Sequence, residues 1–440
     1  MTLKFNPAKI SILYKITLLK YIHMYVEREI TANIKPFLQR KEVISIVGPR
    51  QAGKTTLVKH LTDKLQSEGK KVKFITFEKK ADLALFQDSI EDFKEIAIQF
   101  DCVVIDEFQY AKDGGQRLKY LFDTTDVKFI ITGSSSLELR SQTGKYMVGR
   151  IFNFELLPFS FREYLSIEDP EIFTVLDKKF NSADIFDFNI KQGFGEEINR
   201  RISGRLEKFV VYGGYPAVAI SKTNIEKEKI LESISDNYLL KEIKGLLNLK
   251  TEDELIRLQK FLAAQIGNLI KYEELSNVSK LTNKELMGHL NILEKTYIIK
   301  LIKPFFRNKR TELTKNPKSF FIDLGMRNYL LNDFRPFTAR NDAGAVMENY
   351  ALSSLQKIYP MQTYKYWRTK SKAEVDFIIE KGAEIIPLEI KYSSKKIIGK
   401  SLHSFIEKFK PVKAIVLTKD FLAEENIKNC KVQFIPLGYF

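Results

Sequence analysis

Gly48-Pro49-Arg50-Gln51-Ala52-Gly53-Lys54-Thr55 follows the short apolar, β-branched run Glu42 to Val47 (EVISIV) and leads into TLVKHLTDKL from Thr56. The octapeptide is GxxxxGK[ST] in its required strand–loop–helix setting. Gly48 and Gly53 let backbone N–H groups wrap the phosphates of a nucleotide, and the helix start adds partial positive charge. Lys54 reaches the β/γ-phosphates and the Thr55 hydroxyl takes Mg²⁺. Residues Gly48, Pro49, Arg50, Gln51, Ala52, Gly53, Lys54, Thr55 and Thr56 are therefore the expected nucleotide-binding stretch.

Working outward, a second apolar run, Asp101 to Ile105 (DCVVI), ends in Asp106-Glu107-Phe108-Gln109. Carboxylates at the carboxyl end of a buried strand lie where open α/β sheets bind ligands. Asp106 is the expected Mg²⁺ partner and Glu107 the carboxylate that orients an attacking water. A third run, Val127 to Thr132 (VKFIIT), ends in Gly133-Ser134-Ser135-Ser136; Thr132 or Ser134 is placed to sense a γ-phosphate, unless the serines are only a turn. Arg150 precedes the strand-like Ile151-Phe152-Asn153-Phe154. It can act as an arginine finger, in cis or across a subunit interface, or be a solvated surface residue.

Together GPRQAGKTT, VVIDEFQ, FIITGSSS, the Gly149-Arg150 pair followed by FELLPFSFREYL, and GGYP at Gly213 to Pro216 resemble a widespread prokaryotic family of AAA+ ATPases that carry a C-terminal domain of unknown function. The resemblance extends from about Tyr25 to the C-terminus. It implies the additional-strand class of P-loop ATPase, in which another strand separates the Walker A and Walker B strands. It also implies ATP rather than GTP, and no [NT]KxD guanine motif contradicts that.

Residues 166–207 are polar and poorly periodic and read as a helical lid or insertion. From Thr251 three short helical patterns precede strands. Thr282 and Glu285 form a capping box for a helix whose Leu286, Leu290 and Leu293 share one face. That spacing fits a winged helix-turn-helix with residues 283–294 as recognition helix. Its wing would be basic, with Lys303, Arg307, Lys309, Arg310, Lys315 and Lys318 against Glu312. Lys303, Arg307, Lys309 and Arg310 are the expected nucleic-acid contacts. Protein contact is the alternative, because the recognition helix lacks the Arg/Asn/Gln-rich face of base readout.

Glu348 stands on a helical run, Asp376 in a strand-like run, and Ile385 to Lys391 carries Glu389 and Lys391 on one face of a paired strand. Glu348, Asp376 and Glu389 are candidate Mg²⁺ ligands, with Lys391 placed to orient or deprotonate water. This helix–D–ExK arrangement is similar to the restriction-endonuclease-like core. Retained cleavage, a relic fold used for binding, and plain solvated charges all remain open.

Length and charge set the frame. At roughly 150 residues per domain, 440 residues suggest about three. The chain divides into an extension (1–24), an AAA+ ATPase domain with its insertion (25–225), a helical linker with the winged helix (226–335) and an α/β nuclease-like domain (336–440). A surplus of 71 − 55 = +16 favours an anionic partner. Cys102 and Cys430 cannot build a disulfide framework, so the cytoplasm is the default. Lys9, Lys15 and Lys20 interrupt the apolar stretch 8–26, which excludes a spanning helix of roughly 18 residues, and Met24 is an alternative start. The function these features imply is hydrolysis of ATP, with Mg²⁺, to drive or gate an action on nucleic acid, DNA first. Rival readings are a signalling or partner-loading ATPase that grips a protein, and an ATP-regulated Mg²⁺-dependent nuclease; an oligomer is compatible with each.

Overall fold

The computed structural model describes residues 25–134, 144, 146–180, 184–236, 243, 247 and 252–440. The expectations for residues 1–24, for Ser135 and Ser136, and for the Lys309 side chain lie outside what it describes.

Five strands, β1 (Val43–Val47), β2 (Val72–Thr76), β3 (Cys102–Asp106), β4 (Lys128–Gly133) and β5 (Ile151–Glu155), form a sheet in the order β2-β3-β4-β1-β5. Every pairing is parallel. All residues of β1 and β3 are buried, as expected when helices cover both faces of a parallel sheet. Alternate residues serve the two faces. Ile44, Ile46, Val104 and Ile130 pack on Leu57, Val58 and Leu61 of the Lys54–Ser67 helix; Val43, Val47, Ile105 and Ile131 pack on Phe108, Leu118 and Leu121. The inserted strand is β4, which lies between β1 and β3 as the additional-strand class requires. Both phosphate-loop and acid-bearing strands therefore end at one edge of the sheet, with β4 between them.

The segment read as a helical lid or insertion packs into the core. Its helices Pro170–Phe180 and Glu196–Tyr212 bury Ile172, Leu176, Phe180, Ile202 and Leu206, and the Phe180 ring stacks 4.7 Å from Tyr439 near the C-terminus. The Lys413 amine donates to the Phe186 carbonyl at 2.6 Å. The anchoring aromatics, Phe180, Phe186 and Phe188, are too irregularly spaced to show a helical face in sequence.

Helices Asp253–Ala264, Tyr272–Ser279 and Asn283–Lys295 precede the antiparallel pair β6 (Ile299–Pro304) and β7 (Lys318–Phe321), and Leu269 bridges Lys318. The Thr282/Glu285 capping box is formed. The wing differs from the free basic hairpin the sequence suggested. A helix, Lys309–Thr314, occupies its middle, and β6 also pairs in parallel with β8 (Tyr364–Arg368) at Lys303 and Pro304. The reason is apolar: Phe305, just past β6, is buried among Trp367, Phe405 and Leu402. Docking covers what would otherwise be an open edge of the last sheet.

That sheet has eight strands in the order β12-β13-β11-β10-β9-β8-β6-β7, where β9 is Glu374–Lys381, β10 Glu384–Ile390, β11 Lys413–Thr418, β12 Ala423–Ile427 and β13 Cys430–Pro436. It runs across the expected boundary at 335/336, and one core holds Leu286, Phe320, Val346 and Phe377 together. The helix Ala343–Ile358 leads into β8, β9 and β10, and the helix Lys400–Phe409 into β11, so the order is α-β-β-β-α-β. The β9–β10 hairpin forms as read, turning at Gly382 with φ +65°. Among the described residues no helix is long and apolar enough to cross a membrane.

Candidate functional sites

At the carboxyl edge of the first sheet, Gly48 passes so close to the backbone of Leu156 that a Cβ would collide with its carbonyl oxygen. Gly53 has φ +95°, a left-handed conformation that favours glycine, and starts the Lys54–Ser67 helix. The Lys54 amine is buried against the loop itself, donating to the carbonyls of Gly48 and Pro49 at 2.9 Å each. The Thr55 hydroxyl donates to Asp106 Oδ2 at 2.7 Å, and the Thr132 hydroxyl, from β4, donates to Asp106 Oδ1. Thr132 also accepts the Glu107 N–H at 3.1 Å.

Thr132 thus orients both acids, and Ser134 takes a different place. The Gln109 amide donates to Glu107 Oε2 and, at 3.1 Å, to the Ser134 hydroxyl. Gln109 therefore holds the Glu107 carboxylate toward Ser134. Glu107 itself has φ +56°, which swings its side chain away from the direction β3 would give it. In the sequence Gln109 was visible only as the last letter of a motif, without a role.

The hard oxygens of Thr55 and Asp106, adjacent at the end of the phosphate loop, suit Mg²⁺. Arg150 lies elsewhere. It pairs with Asp123 at 2.9 Å, and its carbonyl accepts from the Val43 N–H at the amino ends of β1 and β5. The length of β1, about 16 Å, separates it from the phosphate loop. That exceeds an arginine's reach, so a finger acting in cis is corrected.

The C-terminal carboxylates also differ from expectation. Lys318, read as a wing residue, is 1% exposed, with its amine 3.0 Å from Glu348 and paired with Glu374. Asp376 accepts the Ile390 N–H at 2.7 Å, and Glu389 pairs with Lys391 at 2.7 Å. Among the described residues no three His, Cys, Asp or Glu side chains gather as metal ligands. The expected Mg²⁺ set of Glu348, Asp376 and Glu389 is corrected: the register of β7 puts an ammonium where the divalent charge was anticipated. Burial acts against the charge of Lys318, yet Glu348, Glu374 and Asp376 hold it above the ordinary lysine value. Burial also pushes the Glu348 carboxyl up to about 8, against the pull of Lys318, and Asp376 up to about 6.

A raised carboxyl favours the protonated fold. Its contribution is complete below the ordinary value of 4.5 and is lost as pH rises through about 8 for Glu348. The urea midpoint of the C-terminal half should therefore fall across that window, and Glu348→Gln should flatten the fall. An unchanged slope in the variant would remove Glu348 as its source.

The GGYP motif, which carries no assigned chemistry, is half of a joint. The GGYP turn presses on the Asp323-Leu324-Gly325 turn: Asp323 accepts the Gly214 N–H at 2.7 Å and the Met326 N–H at 3.0 Å. A Cβ at Gly213 would collide with the Asp323 carboxylate, and one at Gly325 with the Tyr212 carbonyl.

The strand order, the phosphate loop and the Thr55–Asp106–Thr132 arrangement define a P-loop ATPase domain of the AAA class. In agreement, residues 40–165 match the family model of an AAA domain, while residues 203–336 and 343–440 match two domains of unknown function. The chain is similar over most of its length to uncharacterized proteins. It is 24% identical over 403 residues to one from Methanocaldococcus jannaschii, covering 88% of this chain and 83% of that protein. It is 23% identical to one from Haemophilus influenzae, covering 79% and 82%. Among solved structures, AMPPCP-bound DnaA from Aquifex aeolicus aligns with a TM-score of 0.30 at 14% identity, over 61% of this chain and 89% of that one. The Aeropyrum pernix ORC1 protein in complex with DNA aligns at 0.30 and 12%, over 71% and 95%. Likeness at that level carries no argument about this chain.

Proposed function

We propose that this protein is a cytoplasmic ATPase that hydrolyses ATP with Mg²⁺ to gate the binding of nucleic acid, DNA first, by its C-terminal half. The gathering of Thr55, Asp106, Thr132, Glu107 and Gln109 at the end of the phosphate loop carries the reading. In it Gly48 to Thr56 bind the nucleotide, Thr55 and Asp106 hold Mg²⁺, and Lys54 neutralises the β/γ-phosphates. Mg²⁺ supplies charge stabilisation at the phosphates. Glu107, oriented by Gln109, positions the attacking water, and Ser134 senses through Gln109. Arg150 contributes only from a neighbouring copy in an oligomer.

For the nucleic-acid part, the three helices with β6 and β7 support a winged-helix reading, and the α-β-β-β-α-β order supports a restriction-endonuclease-like fold that binds rather than cuts. The exposed Lys303, Arg307 and Arg310 lie along one connection, and Lys284 and Asn291 are exposed on the Asn283–Lys295 helix. Measuring the ATPase rate with single-stranded, duplex and branched DNA tests the proposal: stimulation supports it, and indifference to all three favours a protein partner. Lys303→Glu combined with Arg310→Glu should weaken DNA binding and lower its salt slope by about two units, one per phosphate contact. An unchanged slope would move the contact elsewhere.

A further inference from the structure

The stretch Leu156 to Phe159 meets the phosphate loop at both of its ends. At the loop's start, the Leu156 N–H donates to the Val47 carbonyl at 2.7 Å, and the Leu156 carbonyl occupies the space a Cβ on Gly48 would need. At its end, the guanidinium of Arg28, 5% exposed, donates to the Ala52 carbonyl at 2.8 Å and the Leu157 carbonyl at 2.6 Å. The same guanidinium lies 3.0 Å from Glu163 and 4.8 Å over the Phe159 ring. The stretch is also fastened to the rest of the molecule. Lys357, on the Ala343–Ile358 helix, donates to the Phe159 carbonyl at 2.8 Å, and the Phe159 N–H donates to the Gly214 carbonyl at 2.6 Å.

We propose that Arg28 is a positioning residue for the phosphate loop, and that Leu156 to Phe159 is a strap through which the seating of the Ala343–Ile358 helix sets the loop's affinity for ATP. The inference rests on the ATP reading above. A planar peptide points its carbonyl and the next N–H in opposite directions, so fixing the Ala52 carbonyl fixes the Gly53 N–H, one of the donors assigned to phosphate. Arginine is suited to this place because its rigid fork serves several acceptors at once, whereas a lysine offers a single point charge. Lys357 acts on the same stretch from the other side. Burial pushes its amine down to about 8, against the pull of Glu163 and Asp323, and Arg28 and Glu29 face it as well.

The test uses the full-length protein and steady-state ATP hydrolysis. Arg28→Ala should raise KM for ATP by about ten-fold or more, while kcat changes far less, because a charge-assisted hydrogen bond to the loop is lost. Millimolar guanidinium should restore KM, and the same concentration of NaCl should not. A purely structural role would instead lower the active fraction, and so kcat, without moving KM. Lys357→Met, in a different domain, should raise KM in the same direction, and the double variant should be no worse than Arg28→Ala alone. If Arg28→Ala does not fold, as read by the fluorescence of Trp367, Arg28→Lys replaces it with the same expected rise. A wild-type KM in either arginine variant overturns the positioning role. A wild-type KM in Lys357→Met, or additive effects, overturns the strap. Lys54→Ala separates the two levels: if it turns over ATP at the wild-type rate, the ATP reading itself fails and the inference falls with it.

Discussion

Lys54→Ala is expected to lower ATP turnover by about two to three orders of magnitude, the cost of removing one preorganised charge from a phosphoryl-transfer site. Lys54 is the cation at the start of the Lys54–Ser67 helix, and its amine already lies against the carbonyls of Gly48 and Pro49, within the loop that would surround the phosphates. Glu107→Gln should behave differently, leaving ATP bound but stalled. The amide keeps the shape and removes the charge that orients water, and Gln109 sits beside it in either case. Binding of a fluorescent ATP analogue alongside phosphate release distinguishes the two. Turnover near wild type in either variant would overturn the assignment of the site.

Lys318→Met should destabilise the C-terminal half by about 3 kcal/mol, because it breaks a buried ion pair and takes the ammonium from Glu348, while Glu374 keeps Arg368 at 2.8 Å. The ammonium faces Glu348 and Glu374 and is the cation that β7 delivers to them. The single tryptophan, Trp367, is buried against Phe405 in the same sheet and reports urea unfolding there. Two features separate this loss from simple repacking. The deficit should grow as pH rises through about 8, where the Glu348 carboxyl of the wild type ionises against Lys318, and should be smaller below that. Millimolar Mn²⁺ should restore part of the loss in the variant, since a divalent cation can occupy the space the ammonium left. Wild-type protein should gain nothing from the metal. A clear rise in its own midpoint with Mn²⁺ would return the carboxylates to the role the sequence first suggested.

Why the first site was legible and the second was not follows from where their partners lie. Gly48 to Thr56 and Asp106-Glu107 carry their chemistry in local order: loop, helix start and strand end are each contiguous, and the strands place them together once the sheet is parallel. The β9–β10 hairpin was legible for the same reason, since alternation along a strand sets which residues share a face. Arg28 had no local signal, because a lone arginine before a helix looks solvated until Ala52, Leu157 and Glu163 surround it. Lys318 stood in a run of basic residues and was counted with them. Only its position in Lys318-Ser319-Phe320-Phe321, a strand buried at every residue, marked it as an interior charge.

By itself the sequence carried the phosphate-loop motif in its strand–loop–helix setting and the acids at the end of a second buried strand, because each depends on periodicity and on residues adjacent along the chain; that another strand lies between the two was implied by the family resemblance. Tertiary structure alone decided that the basic hairpin joins the last sheet, that Lys318 stands among the carboxylates, that Arg150 faces away from the phosphates, and that GGYP locks onto Asp323 and Gly325. Those outcomes depend on which apolar surfaces bury one another across hundreds of residues. Pairings at that range leave no mark in the local pattern of the chain, since burial is set by the sum of many small contacts rather than by any one motif.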